Sequence, residues 1–149
     1  MKKILCIAFA FISIMLSACQ HSNIGVIGGA DGPTLIVVSE KGEDFMFEQI
    51  TAEEAKKIMD SDAEYTILDV REEDEFAEGH IPGAILIPHT EIEDKAEEML
   101  TDKEEIILVY CRSGRRSKLA AEAMARLGYK NVKEFGGIMD WPYEIEEGK

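Results

Sequence analysis

An unbroken apolar run constrains the fold of this chain more than any other sequence feature. The run is Ile106-Ile107-Leu108-Val109-Tyr110, and it shows no alternation of polar and apolar residues. A strand with one solvated face alternates, whereas a strand covered on both faces is a continuous apolar run rich in β-branched residues. The run therefore predicts a buried strand of a parallel sheet.

Strand and helix patterns alternate along the chain from Phe45 onward, which is typical of an α/β domain with a mostly parallel central sheet flanked by helices. Thr51-Ala52-Glu53-Glu54 has the form of a capping box and predicts the start of the first helix. Thr90-Glu91-Ile92-Glu93 has the same form and predicts the start of a later helix. A chain of 149 residues has room for one domain and an appendage, and we place the domain at residues 44–146.

A cysteine follows the apolar run directly and opens a basic loop. The segment is Cys111-Arg112-Ser113-Gly114-Arg115-Arg116-Ser117, and helical spacing of apolar residues from Ser117 to Leu127 predicts a helix behind it, ended by Gly128. The thiol is therefore expected between a strand end and a helix N-terminus. Backbone N–H groups there and the three arginines favour an anion, so we expect a lowered thiol pKa. A buried cysteine that acts only as a small apolar side chain is the structural alternative.

The first residues have the pattern of an export signal peptide. Met1-Lys2-Lys3 is basic, Ile4–Leu16 is apolar but too short to span a bilayer, and small residues precede Cys19. The sequence Leu16-Ser17-Ala18-Cys19 resembles the lipobox of bacterial lipoproteins, which implies cleavage after Ala18 and attachment of lipid, including palmitate, to Cys19. We therefore expect residues 1–18 to be removed and the protein to be exported and anchored to a bacterial membrane.

Processing would leave one free thiol and a short tether. Cys6 would leave with the signal peptide and Cys19 would carry lipid, so Cys111 would have no partner in its own chain, which favours a reactive role. Residues 19–43 form the predicted tether. Within it, Ile24–Ile27 and Thr34–Ser39 predict a small hairpin, although the glycines and the proline between them also fit disorder.

The net charge of the chain and the absence of known binding motifs argue against several classes of partner. The formal net charge is −14, and loss of Lys2 and Lys3 would make it more negative, which argues against nucleic acid. His21 and His89 show no ligand spacing, and no zinc, calcium or nucleotide motif is present in the sequence. We therefore expect no metal and no cofactor.

Five motifs, taken together, resemble the single-domain rhodanese family. They are Asp69-Val70-Arg71, Glu75-Phe76, Gly79-His80-Ile81-Pro82-Gly83-Ala84, the segment from Cys111 to Ser117, and Gly136-Gly137. The resemblance implies a rhodanese-like α/β fold with Cys111 as the catalytic nucleophile. It also implies that the Cys111 thiolate takes a sulfane sulfur from thiosulfate or a persulfide donor, becomes a persulfide, and passes the sulfur to a thiol or cyanide.

The same resemblance suggests roles for the residues around the thiol. The candidates for binding the substrate sulfur are Arg112, Ser113, Gly114, Arg115, Arg116 and Ser117. Ser117 is a candidate for a hydrogen bond to the Cys111 sulfur and equally for the cap of the helix. Asp69 and Arg71 are expected to be structural and to fix neighbouring loops by charge-assisted hydrogen bonds. The expected partners are a small sulfur-containing anion or thiol, and the membrane through the lipid on Cys19.

Two other functions remain open. Phosphatases and arsenate reductases of the related cysteine-loop type carry five residues between the cysteine and an arginine that binds the oxyanion. In this chain that position holds Ser117, and the last arginine of the loop, Arg116, comes one position earlier. The loop is thus one residue shorter than in those enzymes, which implies a binding site of a size that fits sulfur. The second alternative is a module that senses a persulfide or binds a partner without turnover, because slow transfer requires the same cysteine.

Overall fold

The computed structural model describes residues 34–38 and 44–148. Among them, six strands form one sheet: β1 (Thr34–Val38), β2 (Asp44–Gln49), β3 (Tyr65–Asp69), β4 (Ile85–Leu86), β5 (Ile106–Cys111) and β6 (Asn131–Gly137). The α-helices between them are α1 (Ala52–Met59), α2 (Glu73–Glu78), α3 (Ile92–Met99) and α4 (Arg115–Arg126). Short 3-10 turns lie at His89–Glu91 and Ile138–Asp140.

The strand order places the apolar run at the centre of the sheet. The order is β1-β2-β6-β5-β3-β4, and every neighbouring pair is parallel except β1 with β2. Because parallel strands carry their connections on the faces of a sheet, helices must cover both sides. The prediction of an α/β fold with a mostly parallel central sheet is confirmed.

Alternate residues of β5 face two separate cores. Ile107, Val109 and Cys111 pack with buried residues of α3 and α4. Leu108 and Tyr110 point to the other face, where they pack in a cluster that includes residues of α1. All five side chains are buried, and burial stabilises each large apolar one by roughly 1.5–3 kcal/mol. The run Ile106–Tyr110 shows no alternation of polar and apolar residues because both faces of β5 are buried.

The two predicted capping boxes have different outcomes. Thr51 caps α1 as predicted: its hydroxyl accepts the Glu54 N–H at 3.2 Å, and the Glu54 carboxylate accepts the Thr51 N–H at 2.7 Å. The prediction at Thr90 is wrong, because α3 begins at Ile92 and has no side-chain cap. Thr90 lies inside a 3-10 turn, and Glu91 rather than Thr90 occupies the N-cap position of α3.

The sheet begins before the predicted domain boundary at residue 44. Thr34–Val38, which the sequence assigns to the tether, forms β1 and pairs with β2, with Thr34 opposite Glu48. The expected hairpin partner Ile24–Ile27, the signal peptide and Cys19 lie outside the described residues. Within the described ranges, no helix is long and apolar enough to cross a membrane.

Candidate active site

The Cys111 loop connects the central strand β5 to α4, the longest helix among the described residues, and lies at the carboxyl edge of the sheet. α4 begins at Arg115, two positions before the predicted start at Ser117, and its N-cap is Gly114 with φ of 94°. A positive φ of this kind favours glycine, since other residues place Cβ too close to the carbonyl oxygen. Only Arg112, Ser113 and Gly114 therefore separate the cysteine from the first helical turn.

The paired glycines at the end of β6 allow the loop to fold against that strand. A Cβ placed on Gly137 would lie 2.2 Å from the carbonyl oxygen of Arg112 and 2.5 Å from the Cα of Ser113. No side chain can occupy such a position without displacing the backbone. Gly137 therefore permits the close approach of the loop to β6, whereas at Gly136 the positive φ of 93° is what favours glycine.

The sulfur of Cys111 is buried and surrounded by hydrogen-bond donors. Only 1% of the residue is exposed, and the Gly114 N–H lies 3.1 Å from Sγ. Burial acts to raise the pKa of this thiol, but hydrogen bonds from the Ser117 side chain and from the backbone N–H groups of Ser117, Ser113 and Gly114 outweigh it. The net effect is a lowered pKa, as expected for a thiol that reacts as a thiolate.

The arginines of the loop contribute differently from one another. The side chains of Arg112 and Arg115 are exposed, as expected for cations that attract a small anion. Neither appears among the main causes of the lowered Cys111 pKa, which are hydrogen bonds. Hydrogen bonding to Glu75 and, further down the order of causes, the charge of Cys111 raise the pKa of Arg116. The expected share of the arginines in favouring the thiolate stays a prediction.

Arg116 does not present a free guanidinium to a substrate. Its Nη1 and Nη2 donate to the two carboxylate oxygens of Glu75 at 2.6 and 2.8 Å. Hydrogen bonding from Arg116 lowers the pKa of Glu75, although partial burial opposes the effect. The Arg116 side chain thus joins α4 to α2, and the expected role of Arg116 in binding the substrate sulfur, through its backbone N–H, stays a prediction. The sequence contained Glu75 in a family motif but gave no indication of this partner.

Ser117 is fully buried beneath the loop and is not the N-cap of α4. Its hydroxyl lies 2.6 Å from Oε1 of Glu134, 2.9 Å from the carbonyl oxygen of Gly114 and 3.3 Å from that of Gly136. The expected cap role is therefore wrong. The hydroxyl instead connects the start of α4 to β6, and its expected hydrogen bond to the Cys111 sulfur stays a prediction.

Glu134 is part of this arrangement, and the sequence did not indicate it. Only 2% of the residue is exposed. Its carboxylate accepts hydrogen bonds from the Gly136 N–H at 2.9 Å and from the Gln49 amide at 2.8 Å, in addition to Ser117. In the sequence, the only signal is a glutamate one residue before Phe135 and the paired glycines, in a strand that is otherwise largely buried.

Asp69 and Arg71 form a buried ion pair at the end of the neighbouring strand β3. Arg71 Nη2 donates to Asp69 Oδ2 at 2.6 Å and to the carbonyl oxygen of Gly79 at 2.7 Å. Burial acts to lower the pKa of Arg71, but the Asp69 carboxylate raises it. Burial also raises the pKa of Tyr110, whose hydroxyl accepts the Ile81 N–H at 3.1 Å. The pair thereby connects the end of β3 to the turn at Gly79, and its structural role stays a prediction.

A cavity of about 480 Å³ lies beside the loop, between α1, α4 and β6. Its lining includes Thr51, Glu54, Ser113, Gly114 and Lys118. Among residues 46–148, no group of three or more His, Cys, Asp or Glu side chains is arranged to hold a metal ion. The site therefore combines a hydrogen-bonded thiol, exposed cations and an adjoining open space.

Comparisons with known proteins point to one family. The model of the Rhodanese-like domain matches residues 51–143. A Bacillus subtilis protein, "Putative sulfur carrier protein YrkF", is 42% identical over 99 residues, which are 66% of this chain and 52% of that protein, so the chain spans about half of its length. The thiosulfate sulfurtransferase PspE of Escherichia coli is 36% identical over 73 residues, which are 49% of this chain and 70% of that protein.

Solved structures agree with the family match. The crystal structure of a rhodanese-like domain protein from Staphylococcus aureus superposes with a TM-score of 0.58 and 33% sequence identity. The similarity covers 68% of this chain and 98% of that one. The fold is thus similar over almost the whole of that independently solved chain.

Proposed function

Because the chain belongs to the rhodanese family, we propose that it is a sulfurtransferase in which Cys111 carries the sulfur as a persulfide. The observation that carries this proposal is the environment of the buried Cys111 sulfur. The sulfur accepts a hydrogen bond from the backbone N–H of Gly114, and the pKa of the thiol is lowered. A thiolate is the form of cysteine that attacks sulfur. Relatives that are named as sulfurtransferases support sulfur transfer in general.

The first half of the proposed reaction loads sulfur onto the cysteine. The Cys111 thiolate attacks the outer sulfur of thiosulfate, a new S–S bond forms, and the old S–S bond breaks. Sulfite leaves with the electron pair of the broken bond, so one anion replaces another and no oxidant is required. The exposed Arg112 and Arg115 side chains attract the donor, while the backbone N–H groups of the loop stabilise charge on the terminal sulfur.

The second half returns the cysteine to its starting state. A thiolate or cyanide attacks the terminal sulfur of the persulfide, and Cys111 leaves as a thiolate. The hydrogen bonds that lower the pKa of Cys111 also make it a better leaving group. The same N–H groups therefore assist both halves of the cycle.

The buried position of Ser117 favours sulfur transfer over phosphoryl chemistry. A phosphatase of the related type would require an arginine at position 117 to bind its oxyanion. Here the side chain at this position points to Glu134 Oε1 at 2.6 Å, away from a substrate in solution. Position 117 therefore offers no guanidinium to bind a phosphate oxyanion, so we expect no phosphatase activity.

Turnover with cyanide tests the proposed function. We expect the chain lacking residues 1–19 to form thiocyanate from thiosulfate and cyanide, and the variant Cys111→Ser to form none. Hydrolysis of p-nitrophenyl phosphate, measured in parallel, is expected to stay at the uncatalysed rate. Thiosulfate-dependent loading without thiocyanate formation would favour the persulfide-sensing alternative, and phosphate hydrolysis would favour the phosphatase.

We also propose that the protein is exported and anchored to a bacterial membrane through lipid on Cys19. The support is the basic start, the short apolar segment and the Leu16-Ser17-Ala18-Cys19 sequence. Metabolic labelling of the full chain with an alkyne-tagged palmitate analogue tests this. Label and membrane association are expected for the unchanged chain and neither for Cys19→Ala; equal labelling of both would contradict the proposal.

A further inference from the structure

The cations of this chain differ in whether a carboxylate neutralises them. Among residues 46–148, every lysine and arginine forms an ion pair with a carboxylate except Arg112, Arg115, Lys118 and Arg126. All four of these side chains are exposed, and all lie in the Cys111 loop or in α4. The unpaired positive charge of this part of the chain is therefore collected beside the reactive cysteine.

Three of the unpaired cations share one side of α4. Lys118 and Arg126 lie three and eleven positions after Arg115, and at 3.6 residues per turn these spacings place all three on one stripe of the helix. Leu119 lies on the same stripe and is 50% exposed. Glu122 also lies there, is half-buried and forms no ion pair with the described cations. The stripe is thus basic with one exposed apolar side chain.

The stripe continues into the Cys111 loop. Arg112 is exposed in the loop, and its carbonyl oxygen accepts the Met139 N–H at 3.3 Å, so the 3-10 turn after β6 lies against the loop. Met139 is 68% exposed. Arginine and methionine are enriched in protein interfaces, which combine apolar contacts with polar surroundings. We call this surface the basic face, and its residues are Arg112, Arg115, Lys118, Leu119, Arg126 and Met139.

The basic face is longer than a small sulfur anion. Arg115 and Arg126 are separated by about 16 Å along the axis of α4, so an anion such as thiosulfate at Cys111 does not reach both. Nucleic acid is disfavoured because the chain carries a net charge of −14. A membrane that covered the face would block access to the thiol. An acidic protein fits best, since it can match the length of the face and bring its own cysteine to the loop.

We propose that the basic face docks an acidic protein whose cysteine accepts sulfur from Cys111. This inference rests on the proposed sulfurtransferase function and names its acceptor. The acceptor thiolate attacks the terminal sulfur of the Cys111 persulfide and forms a new S–S bond. The bond to Cys111 Sγ breaks, and its electron pair stays on Cys111, which leaves as a thiolate without any oxidant. The acidic remainder of the chain repels the partner elsewhere, so charge orients it on this face.

Thiol exchange between Cys111 and a peptide tests the docking without sulfur transfer. The probe is a short synthetic peptide with one cysteine among aspartates and glutamates, activated as a mixed disulfide with thionitrobenzoate. The Cys111 thiolate displaces the coloured thionitrobenzoate and forms a disulfide with the peptide. In a matched uncharged peptide, asparagine and glutamine replace the acids. Rates are measured on the chain lacking residues 1–19 and divided by the alkylation rate with iodoacetamide, which corrects for differences in thiol reactivity.

We expect the variant Lys118→Gln, Arg126→Gln to react roughly fivefold more slowly with the acidic peptide at low salt and equally fast with the uncharged peptide. The difference should disappear at high salt. The matched control Lys57→Gln, Lys130→Gln removes the same charge from exposed lysines that are paired with carboxylates, and we expect it to change the rate much less. Glutamine is a good helix former, and thermal melting checks that each variant is folded.

Three results would overturn the proposal: no fall in rate for Lys118→Gln, Arg126→Gln, an equal fall in the control variant, or an equal fall with the uncharged peptide. Sedimentation of the unchanged chain with phosphatidylglycerol vesicles, lost in Lys118→Gln, Arg126→Gln, would assign the face to a membrane and overturn it as well. Sulfur transfer is checked separately, because the chain loaded with thiosulfate should pass one sulfur to the acidic peptide with a free thiol. Charge-dependent exchange without loading would support the docking face and count against the proposed function alone.

Discussion

Asp69 and Glu134 are both buried carboxylates near the carboxyl edge of the sheet, but their surroundings are opposite. Asp69 is 0% exposed and pairs with the guanidinium of Arg71, whereas Glu134 is 2% exposed and is bonded only by neutral donors. In the first case the carboxylate has a cation as its partner, and we predict that the pair fixes the turn at Gly79. In the second the hydrogen bonds join the start of α4 to β2 and β6 without a cation. The two carboxylates should therefore respond differently to loss of a partner.

The largest expected effect comes from breaking the ion pair. Arg71→Met would leave Asp69 as a buried charge without a partner, and we expect a loss of about 3–5 kcal/mol in unfolding free energy. The double variant Asp69→Asn, Arg71→Met is expected to be less destabilised than Arg71→Met alone, since no charge then remains. Urea denaturation measures both. A single variant no less stable than the unchanged chain would show that the pair is not structural.

The matching change at the second carboxylate is expected to have a smaller effect on stability. Glu134→Gln retains the shape of the side chain, so we expect a loss of about 1–3 kcal/mol in unfolding free energy from weakened hydrogen bonds to Ser117, Gly136 and Gln49. Urea denaturation measures it. A loss as large as that of Arg71→Met would remove the contrast between the two carboxylates.

The ion pair of Arg116 and Glu75 is partly exposed, so we expect it to contribute less to stability than the buried pair of Asp69 and Arg71. Arg116 and Glu75 are 20% and 23% exposed in their side chains, and they join α4 to α2. We expect Glu75→Gln to cost about 1 kcal/mol or less, because solvent screens the pair. The cost should decrease in high salt, unlike that of Arg71→Met, and urea denaturation at two salt concentrations measures the difference.

The smallest expected effect is a pH dependence of stability. The folded pKa of Cys111 is lowered, so the folded protein binds fewer protons than the unfolded chain between that value and the ordinary thiol pKa of about 8.5. Across this window, the stability of the unchanged chain relative to Cys111→Ala should rise with pH and then level off. It should be lost as pH falls through the folded pKa. A relative stability that falls with rising pH would mean that the thiol pKa is raised.

The sequence predicts the parts of this molecule that depend on local pattern. The apolar run of Ile106–Tyr110 identifies the central strand, and the cysteine that follows it must then lie at the carboxyl edge, where loops of parallel sheets form sites. The capping box at Thr51 succeeds for the same reason, since both of its hydrogen bonds lie within one helical turn.

The contacts that tune the site are long-range, and local pattern does not contain them. Arg116 pairs with Glu75, 41 positions earlier, and Ser117 bonds Glu134, 17 positions later. In sequence, a glutamate in a strand is indistinguishable from a solvated surface charge. Only the close approach of β6 to the loop, permitted by Gly137, buries Glu134 next to Ser117. The capping box at Thr90 failed because a 3-10 turn takes its place.

Intact-mass analysis after incubation with thiosulfate tests the central claim most directly. We expect the chain lacking residues 1–19 to gain the mass of one sulfur atom, located on the peptide that contains Cys111 and removed again by a small thiol. The variant Cys111→Ser should gain nothing. An unchanged chain that reacts with iodoacetamide at Cys111 but gains no sulfur from thiosulfate or from a persulfide donor would contradict the assignment of Cys111 as the sulfur carrier.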